Sequence, residues 1–281
     1  MTLQNWIQNG EARLRGSPHP ERARRDAETL LLHLIQRDRA FLAANPVSEL
    51  SAEGAVRYYA LIERRLGGEP IQYIIGETEF YGLPFHVDRN VLIPRPETEH
   101  LVEKVLSLAA GFETPRIVDV GTGSGAIAVA LAHKLPGAQI TAVDVSQSAL
   151  AVARGNAERN RVADRARFLE GDLLGPVAGE RFEIVVSNPP YVAEGDRSSL
   201  SVEVRDYEPS VALFAGSGLE IYRRLIPAAY AVLISGGFLV LEIGYGQDTA
   251  IGGLLADSKF EQIEFTADLQ GIPRVASARR P

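Results

Sequence analysis

The residue types best suited to chemistry lie in one short run, Asn188-Pro189-Pro190-Tyr191, directly after an apolar stretch at residues 182–187. Consecutive prolines fix the backbone and remove two N–H donors, while their carbonyls remain as acceptors. The carboxamide oxygen of Asn188 and the carbonyl of Pro189 can therefore face the same point. Two fixed acceptors match the two hydrogens of a planar –NH₂ group, which predicts binding of an amide or an exocyclic amine. A proline-stiffened loop without a ligand is the alternative.

A glycine-rich turn is the second candidate site. The run Asp119-Val120-Gly121-Thr122-Gly123-Ser124-Gly125 follows a predicted strand and opens a predicted helix. Glycines let the backbone turn tightly and approach a ligand closely, which suits a nucleotide-like molecule. The Gly-x-Gly-x-Gly spacing favours S-adenosylmethionine over NAD, whose sites use Gly-x-Gly-x-x-Gly. A strand-to-helix turn that binds nothing is the alternative.

Two carboxylates follow the next predicted strands, at the same edge of the sheet. Asp144 ends the second strand, where a carboxylate can accept hydrogen bonds from both hydroxyls of a ribose. Asp172 follows the third strand and can accept from the exocyclic amine of an adenine. The alternatives are an acid that complements a helix dipole at 144 and a solvated loop acid at 172.

Apolar periodicity predicts the scaffold that must position these residues. From residue 97 onwards, short apolar strands alternate with helices, which is typical of a parallel sheet covered by helices on both faces. Strands are predicted at 116–120, 139–144, 166–170, 182–187, 237–243, 260–267 and 273–279. The last two are close enough in sequence to pair antiparallel. Residues 191–215 have little regular pattern and are interpreted as a lid.

The first 70 residues are predicted to be helical. Apolar residues at helical spacing run through residues 21–36, and Ser51 is a plausible N-cap for a second helix that ends at Gly67-Gly68. Residues 71–90 are predicted to form a β-hairpin linker, with strands at 71–75 and in the run 80–85.

Composition excludes several classes of site and partner. The 281 residues contain no cysteine, which removes disulfides and thiolate metal ligands, and the five histidines are scattered, so no metal site is expected. The longest apolar stretches, about five to eight residues, are too short to span a bilayer, and no secretion signal opens the sequence. A cytoplasmic location is therefore expected. The net charge of -7 argues against a general nucleic-acid binder.

The motifs, in this order along the chain, resemble those of class I S-adenosylmethionine-dependent amino methyltransferases. The resemblance extends over nearly the whole chain and is most specific to the peptide chain release factor N5-glutamine methyltransferase family. The segments that resemble this family are RRDAE (24–28), EPIQYI (69–74), IPRPETE (93–99), VRDYEP (204–209) and GGFLVLEIG (236–244).

This resemblance implies an α/β fold. It consists of a Rossmann-like seven-stranded class I methyltransferase sheet with an antiparallel C-terminal hairpin, preceded by a small helical N-terminal domain. The implied domains are a substrate-docking domain at 1–70, the hairpin linker at 71–90 and a methyltransferase domain at 91–281. The implied activity is methylation of the side-chain amide nitrogen of a glutamine in release factors, and hence a role in translation termination. S-adenosylmethionine would be the donor and S-adenosylhomocysteine the product.

The resemblance also assigns the site residues. Those implied to bind the methyl donor are Gly121, Thr122, Gly123, Ser124, Gly125, Asp144, Asp172, Leu173 and Asn188. The substrate glutamine would be bound by Asn188, Pro189, Pro190 and Tyr191, of which Asn188, Pro189 and Tyr191 are the expected catalytic residues. Some relatives have an aromatic residue where this chain has Leu173, so aliphatic packing against the adenine is expected.

Several alternatives remain open at this point. An adenine-N6 DNA or RNA methyltransferase needs the same two acceptors, although the acidic balance and the lack of a basic stripe count against it. A nicotinamide-dependent oxidoreductase and a non-catalytic scaffold are the other classes considered. Arg95, Glu97 and Thr98 either line the substrate pocket or cap the helix that Pro96 begins. The expected partners are release factors, with no nucleic acid, no membrane and a monomeric state.

Overall fold

Seven of the nine strands form one sheet in a computed structural model that describes residues 1–281. The strands are β1 (Glu77–Phe80), β2 (Leu83–His86), β3 (Arg116–Val120), β4 (Gln139–Asp144), β5 (Ala166–Glu170), β6 (Phe182–Ser187), β7 (Leu233–Glu242), β8 (Glu261–Ala267) and β9 (Pro273–Arg279). The sheet order is β5-β4-β3-β6-β7-β9-β8, and β9 runs in the opposite direction to the other six strands. The predicted seven-stranded sheet with an antiparallel C-terminal hairpin is confirmed.

Twelve α-helices accompany the strands. They are α1 (Leu3–Leu14), α2 (Ala23–Ile35), α3 (Arg39–Ala44), α4 (Ala52–Leu66), α5 (Ile71–Ile75), α6 (Glu99–Ala109), α7 (Ala126–Lys134), α8 (Gln147–Arg159), α9 (Val202–Tyr207), α10 (Ser210–Leu213), α11 (Glu220–Val232) and α12 (Asp248–Asp257). None of them combines the length and apolar character needed to cross a bilayer.

The centre of the sheet is buried on both faces because β3, β4 and β6 are mainly apolar, whereas the edge strands β5 and β8 are more polar and more exposed. Successive side chains of a strand point to opposite faces, so Ile117 and Val118 of β3 lie in two different apolar clusters. Strand β3 lies between β4 and β6, and the chain crosses from one side of β3 to the other. The carboxyl ends of these three strands therefore meet at a topological switch point, where ligands of open α/β sheets bind.

The chain divides into two units. One comprises Met1–Gly76 with Leu200–Tyr207, and the other comprises Glu77–Ser199 with Glu208–Pro281. The first unit is helical and has its own apolar core, which includes Trp6 and Tyr58. Ser51 is the predicted N-cap of α4, since its hydroxyl accepts a hydrogen bond from the Gly54 N–H at 3.0 Å.

Two local predictions were wrong. Residues 71–75 form a helix and not a strand, because Pro70 begins one helical turn, Tyr73 and Ile74 are buried by it, and Gly76 ends it in the left-handed conformation at φ +80°. The hairpin is correspondingly confined to β1 and β2, which pair antiparallel. Residues 191–215 are not irregular. They contain a 3₁₀ segment at Glu194–Ser199 together with α9 and α10, and α9 belongs to the helical unit.

Candidate active site

A cavity of about 300 Å³ lies at the carboxyl ends of β3, β4 and β6. Of the residues expected to bind the methyl donor, those that line it are Gly121, Gly123, Asp144, Asp172, Leu173 and Asn188. Thr122, Ser124 and Gly125 do not line the cavity and instead shape the turn. Asn188, Pro189 and Pro190 line the same cavity, so the structure brings the two predicted motifs together.

The glycine turn leaves room for a ligand. Gly123 adopts a left-handed conformation at φ +54°, and a Cβ built on it would meet no atom within 4 Å. Gly125 is also left-handed, at φ +80°, but its added Cβ would lie 3.0 Å from the Ala153 Cβ. Gly123 therefore keeps the cavity open, whereas Gly125 lets α7 pack against α8.

Thr122 contacts a buried carboxyl group instead of the cavity. Its hydroxyl donates to Asp119 Oδ2 at 2.6 Å, and the other carboxyl oxygen, Oδ1, has no partner in the protein. Asp119 is fully buried, and this burial raises its pKa to about 7. Asp119 is thus partly protonated near neutral pH. Asp119 begins the glycine-rich motif of the sequence, but no role was predicted for it.

Asp144 is held rigidly by the turn that it faces. Its Oδ2 accepts a hydrogen bond from the Gly123 N–H at 2.8 Å, and its Oδ1 accepts one from the Ser146 N–H at 2.9 Å. Each carboxylate oxygen can accept a second hydrogen bond, so both remain available to a ligand. The arrangement suits a ligand with two vicinal hydroxyls, as the sequence predicts.

Asp172 lies at the exposed end of the cavity. Its carboxylate forms an ion pair with Arg224 of α11, and both side chains are more than half exposed. Arg224 also lines the cavity, although no sequence motif pointed to it. Leu173, which follows Asp172, has a positive φ of 49° and lies against the apolar cluster on one face of the sheet.

The Asn-Pro-Pro-Tyr run follows β6 and contains two hydrogen-bond acceptors to which no protein group donates. Asn188 uses its Nδ2 to donate to the Thr98 hydroxyl at 3.2 Å, and no protein group donates to its Oδ1. The Pro189 carbonyl is likewise outside the backbone hydrogen bonds of the loop. Tyr191 differs from the prediction, because its hydroxyl contacts Glu242 Oε1 at 3.5 Å and the residue does not line the cavity.

Glu242 is a buried carboxyl group behind this run. It ends β7 with 2% exposure, and its Oε2 accepts a hydrogen bond from the Thr98 hydroxyl at 2.7 Å. The pKa of Glu242 is raised to about 7, mainly by burial and in part by nearby Glu97, against the opposing effects of Thr98 and Arg274. In the sequence, this buried carboxyl group is indicated by one acidic residue within the apolar run GGFLVLEIG (236–244).

The Arg95 side chain forms an ion pair with a residue that directly precedes the cavity lining. Its Nη2 donates to both carboxylate oxygens of Glu208, at 2.6 and 2.8 Å, and the Glu208 side chain is only 1% exposed. Pro209 and Ala212, which follow Glu208, line the cavity. The structure supports neither interpretation of this segment: α6 and the 3₁₀ turn Pro96–Thr98 before it have no side-chain cap, and Arg95, Glu97 and Thr98 do not line the cavity.

Comparisons with known proteins show similarity to methyltransferases over both units of the chain. Residues 5–76 match the family model "PrmC N-terminal domain", and residues 97–204 match "Methyltransferase small domain". A release factor glutamine methyltransferase of Koribacter versatilis is 42% identical over 283 residues, covering 100% of this chain and 99% of the relative. One of Bradyrhizobium diazoefficiens is 43% identical over 274 residues, covering 96% and 92%.

Solved structures show the same fold at lower identity. The hMettl16 catalytic domain is 19% identical with a TM-score of 0.59, covering 86% of this chain and 92% of that chain. A T. thermophilus 16S rRNA methyltransferase, solved with AdoMet and guanosine, is 21% identical with a TM-score of 0.55, covering 73% and 50%.

The sheet order and these neighbours define the fold of a class I methyltransferase, and the match of residues 97–204 to a methyltransferase family model agrees with it. Identity above 40% over nearly the full length is more specific than the fold. The chain belongs to the release factor glutamine methyltransferase family. An adenine-N6 nucleic-acid methyltransferase is not favoured by these relatives.

Proposed function

We propose that this protein transfers a methyl group from S-adenosylmethionine to the side-chain amide nitrogen, N5, of a glutamine in a peptide chain release factor. One observation supports this assignment above the others: Asn188 Oδ1 and the Pro189 carbonyl, both free of protein donors, stand at the cavity below the glycine turn. The family's own members are named for this activity.

The residues around the cavity fit the proposed methyl donor. The open space at Gly123 admits a ligand close to the backbone, and Asp144 offers two oriented oxygens to a ribose. Val120, Val143 and Leu173 give the cavity an apolar wall suited to a flat ring. S-adenosylmethionine, when bound, would supply a methyl group activated by its sulfonium, so the protein need not activate a leaving group.

The protein's task is then alignment and charge stabilisation at the amide. An amide nitrogen is a poor nucleophile because its lone pair is delocalised into the carbonyl. Asn188 Oδ1 and the Pro189 carbonyl would each accept one N–H of the target amide and hold its nitrogen towards the donor. Both acceptors would also stabilise positive charge that develops on nitrogen. Neither oxygen is basic enough to keep the displaced proton, which passes to water.

The proposed function is tested by incubating the protein with S-adenosylmethionine and an intact release factor. We expect one added methyl group, located on a glutamine side chain by tandem mass spectrometry. A factor in which that glutamine is replaced by glutamate should remain unmodified. Methylation of adenine in DNA or RNA, without modification of the factor, would instead favour the nucleic-acid alternative.

Asp144→Ala is expected to weaken S-adenosylmethionine binding by about 1.5–3 kcal/mol, the range for hydrogen bonds to a charged group. The substitution removes both oxygens offered to the ribose and also the acceptor of the Gly123 N–H. Titration calorimetry measures the change. Glu170→Ala is the matched control, since Glu170 pairs with Asp144 across β4 and β5 but does not line the cavity. Equal affinity of Asp144→Ala and wild type would exclude the ribose assignment.

The helical unit is proposed to dock the release factor. It has a core of its own, and none of its residues lines the cavity, so it is free for a role other than binding the donor. A monomeric state, a cytoplasmic location and the absence of a nucleic-acid partner are proposed with this function, because release factors are proteins that act in translation.

A further inference from the structure

A chain of three polar side chains runs from the buried interior to the cavity. Thr98, which is 4% exposed, donates its hydroxyl proton to Glu242 Oε2 at 2.7 Å and accepts from Asn188 Nδ2 at 3.2 Å. Glu242 lies at the inner end and Asn188 lines the cavity at the outer end. The hydroxyl group of Thr98 links the two side chains.

The direction of these hydrogen bonds depends on the charge of Glu242. An ionised carboxylate can only accept, so the one proton of Thr98 must point towards it. The Thr98 oxygen can then only accept from Asn188, and within the Asn188 carboxamide only Nδ2 can donate. The Oδ1 of Asn188 is thereby turned towards the cavity, where an acceptor is needed.

We propose that Glu242, acting through the hydroxyl of Thr98, is a positioning residue that fixes which end of the Asn188 carboxamide faces the substrate. This inference rests on the proposed function, because it takes Asn188 Oδ1 as an acceptor for the target amide. Glu242 itself does not line the cavity and would not touch the reacting atoms.

Protonation of Glu242 removes this constraint on the orientation of the Asn188 carboxamide. A protonated carboxyl can donate to Thr98, which frees the Thr98 proton to bond Asn188 Oδ1. The carboxamide can then present Nδ2 to the substrate, and two N–H donors would face each other. The groups around Glu242 are Glu97, Arg274, Thr98 and Tyr191, and Tyr222 of α11 donates to the Glu242 carbonyl at 2.7 Å.

The sign of the pH dependence follows from the active form. The ionised carboxylate orients Asn188, so the methyl-transfer rate should rise with pH through about 7, the pKa of Glu242. Tyr191 keeps its proton across this range, because burial raises its pKa well above the ordinary value. Asp119 also has a raised pKa, so a rise in the wild-type rate does not by itself identify the group that titrates. The comparison with a Glu242 variant makes that assignment.

The decisive variant is Glu242→Gln, measured by single-turnover methylation at saturating donor and factor. Its carboxamide can either accept from Thr98 or donate to it at any pH. We expect the rate above the wild-type transition to fall by about 3- to 10-fold, the equivalent of one hydrogen bond, and the rise with pH to disappear. Donor affinity should not change. A Glu242→Gln profile that matches wild type in rate and pH dependence would overturn the inference.

Thr98 variants separate positioning from packing. Thr98→Val keeps the shape but removes the hydroxyl, so it should lose as much rate as Glu242→Gln, and the double variant should lose no more. Thr98→Ser should restore the rate and the pH profile. The matched control is Thr141→Val, which removes the hydroxyl of another buried threonine, one that lies in β4 and accepts from Arg167 outside the cavity. Equal losses in Thr98→Val and Thr141→Val would overturn the inference.

Thermal melting tests whether a lower methyl-transfer rate in Glu242→Gln results from a loss of folded protein. Burial favours the protonated form of Glu242, so its contribution to stability decreases as pH rises from the unfolded pKa to the folded value of about 7. Glu242→Gln should therefore melt no lower than wild type at pH values above that transition. The variant is thus expected to be slower and at least as stable. A lower melting temperature there, together with weaker donor binding, would indicate a structural role and overturn the inference.

A spectroscopic readout keeps the inference separate from the proposed function. In protein labelled with isotopic asparagine, the side-chain amide signals of Asn188 should shift with the Glu242 transition. They should be insensitive to pH in Glu242→Gln. If wild type methylates no release factor, the proposed function fails, yet these signals still decide the inference. Wild-type Asn188 signals that do not follow the transition would overturn it.

Discussion

Asn188→Ala is expected to lower the single-turnover rate of glutamine methylation by about 10²–10³-fold, by analogy with loss of one group that stabilises developing charge. The substitution removes Oδ1, one of two acceptors that would hold the amide hydrogens, and leaves the Pro189 carbonyl alone. S-adenosylmethionine affinity should fall much less, because Asp144 and the glycine turn supply most of the proposed donor contacts. Rapid-quench methylation and calorimetry measure the two quantities separately.

Asn160→Ala is the matched control for this prediction. Asn160 lies in the same unit and donates through its carboxamide to Pro84, but it does not line the cavity. It should keep nearly the wild-type rate. If Asn188→Ala also kept that rate, the Asn-Pro-Pro-Tyr run would not be the catalytic centre.

Asn188→Asp refines the same test. Aspartate keeps an acceptor but has no N–H to donate to Thr98, so two carboxylates would compete for the single Thr98 proton. The new charge would also lie one hydroxyl group away from Glu242. We therefore expect Asn188→Asp to be as slow as Asn188→Ala. An aspartate variant that retains most activity would mean that acceptance alone, without orientation by Thr98, is enough.

The sequence predicts most of the fold because the central strands of the sheet are apolar and regular. Strands at 116–120, 139–144, 166–170, 182–187 and 273–279 agree residue for residue with β3, β4, β5, β6 and β9. A buried parallel strand is a continuous apolar run bounded by turn residues, which is a strong local signal. The segment 71–75 failed because a short apolar run has no such period, and the helix there depends on burial in the helical unit.

The sequence predicts those residues of the candidate site that belong to a local motif or directly follow a strand. The glycine turn, Asp144 and Asn188 each follow a strand, so their meeting at the switch point follows from topology. Glu242 and Thr98 are 144 residues apart, and only the folded chain places them 2.7 Å apart. The ion pairs of Asp172 with Arg224 and of Arg95 with Glu208 were missed for the same reason.

Arg65→Met is expected to destabilise the helical unit by about 3–5 kcal/mol, the usual cost of leaving buried charges without their partner. The Arg65 side chain is 1% exposed. It pairs with Asp26 at 2.6 Å and with Glu203 of α9 at 2.5 Å. Methionine fills similar space but leaves the Asp26 carboxylate facing an apolar side chain, whereas Glu203 keeps its longer contacts with His19 at 3.4 Å and Arg22 at 3.8 Å.

The single tryptophan of the chain makes this unit's unfolding visible. Trp6 lies in the core of the helical unit, so its fluorescence reports that unit and not the sheet during urea denaturation. Arg57→Met is the matched control on the same helix. Its pair with Glu53 is exposed on both sides, and such a pair contributes about 0.3–0.5 kcal/mol. Asp26→Asn added to Arg65→Met should recover part of the loss, because it removes one unpaired charge. Similar midpoints for Arg65→Met and Arg57→Met would show that the buried pairs do not stabilise the helical unit.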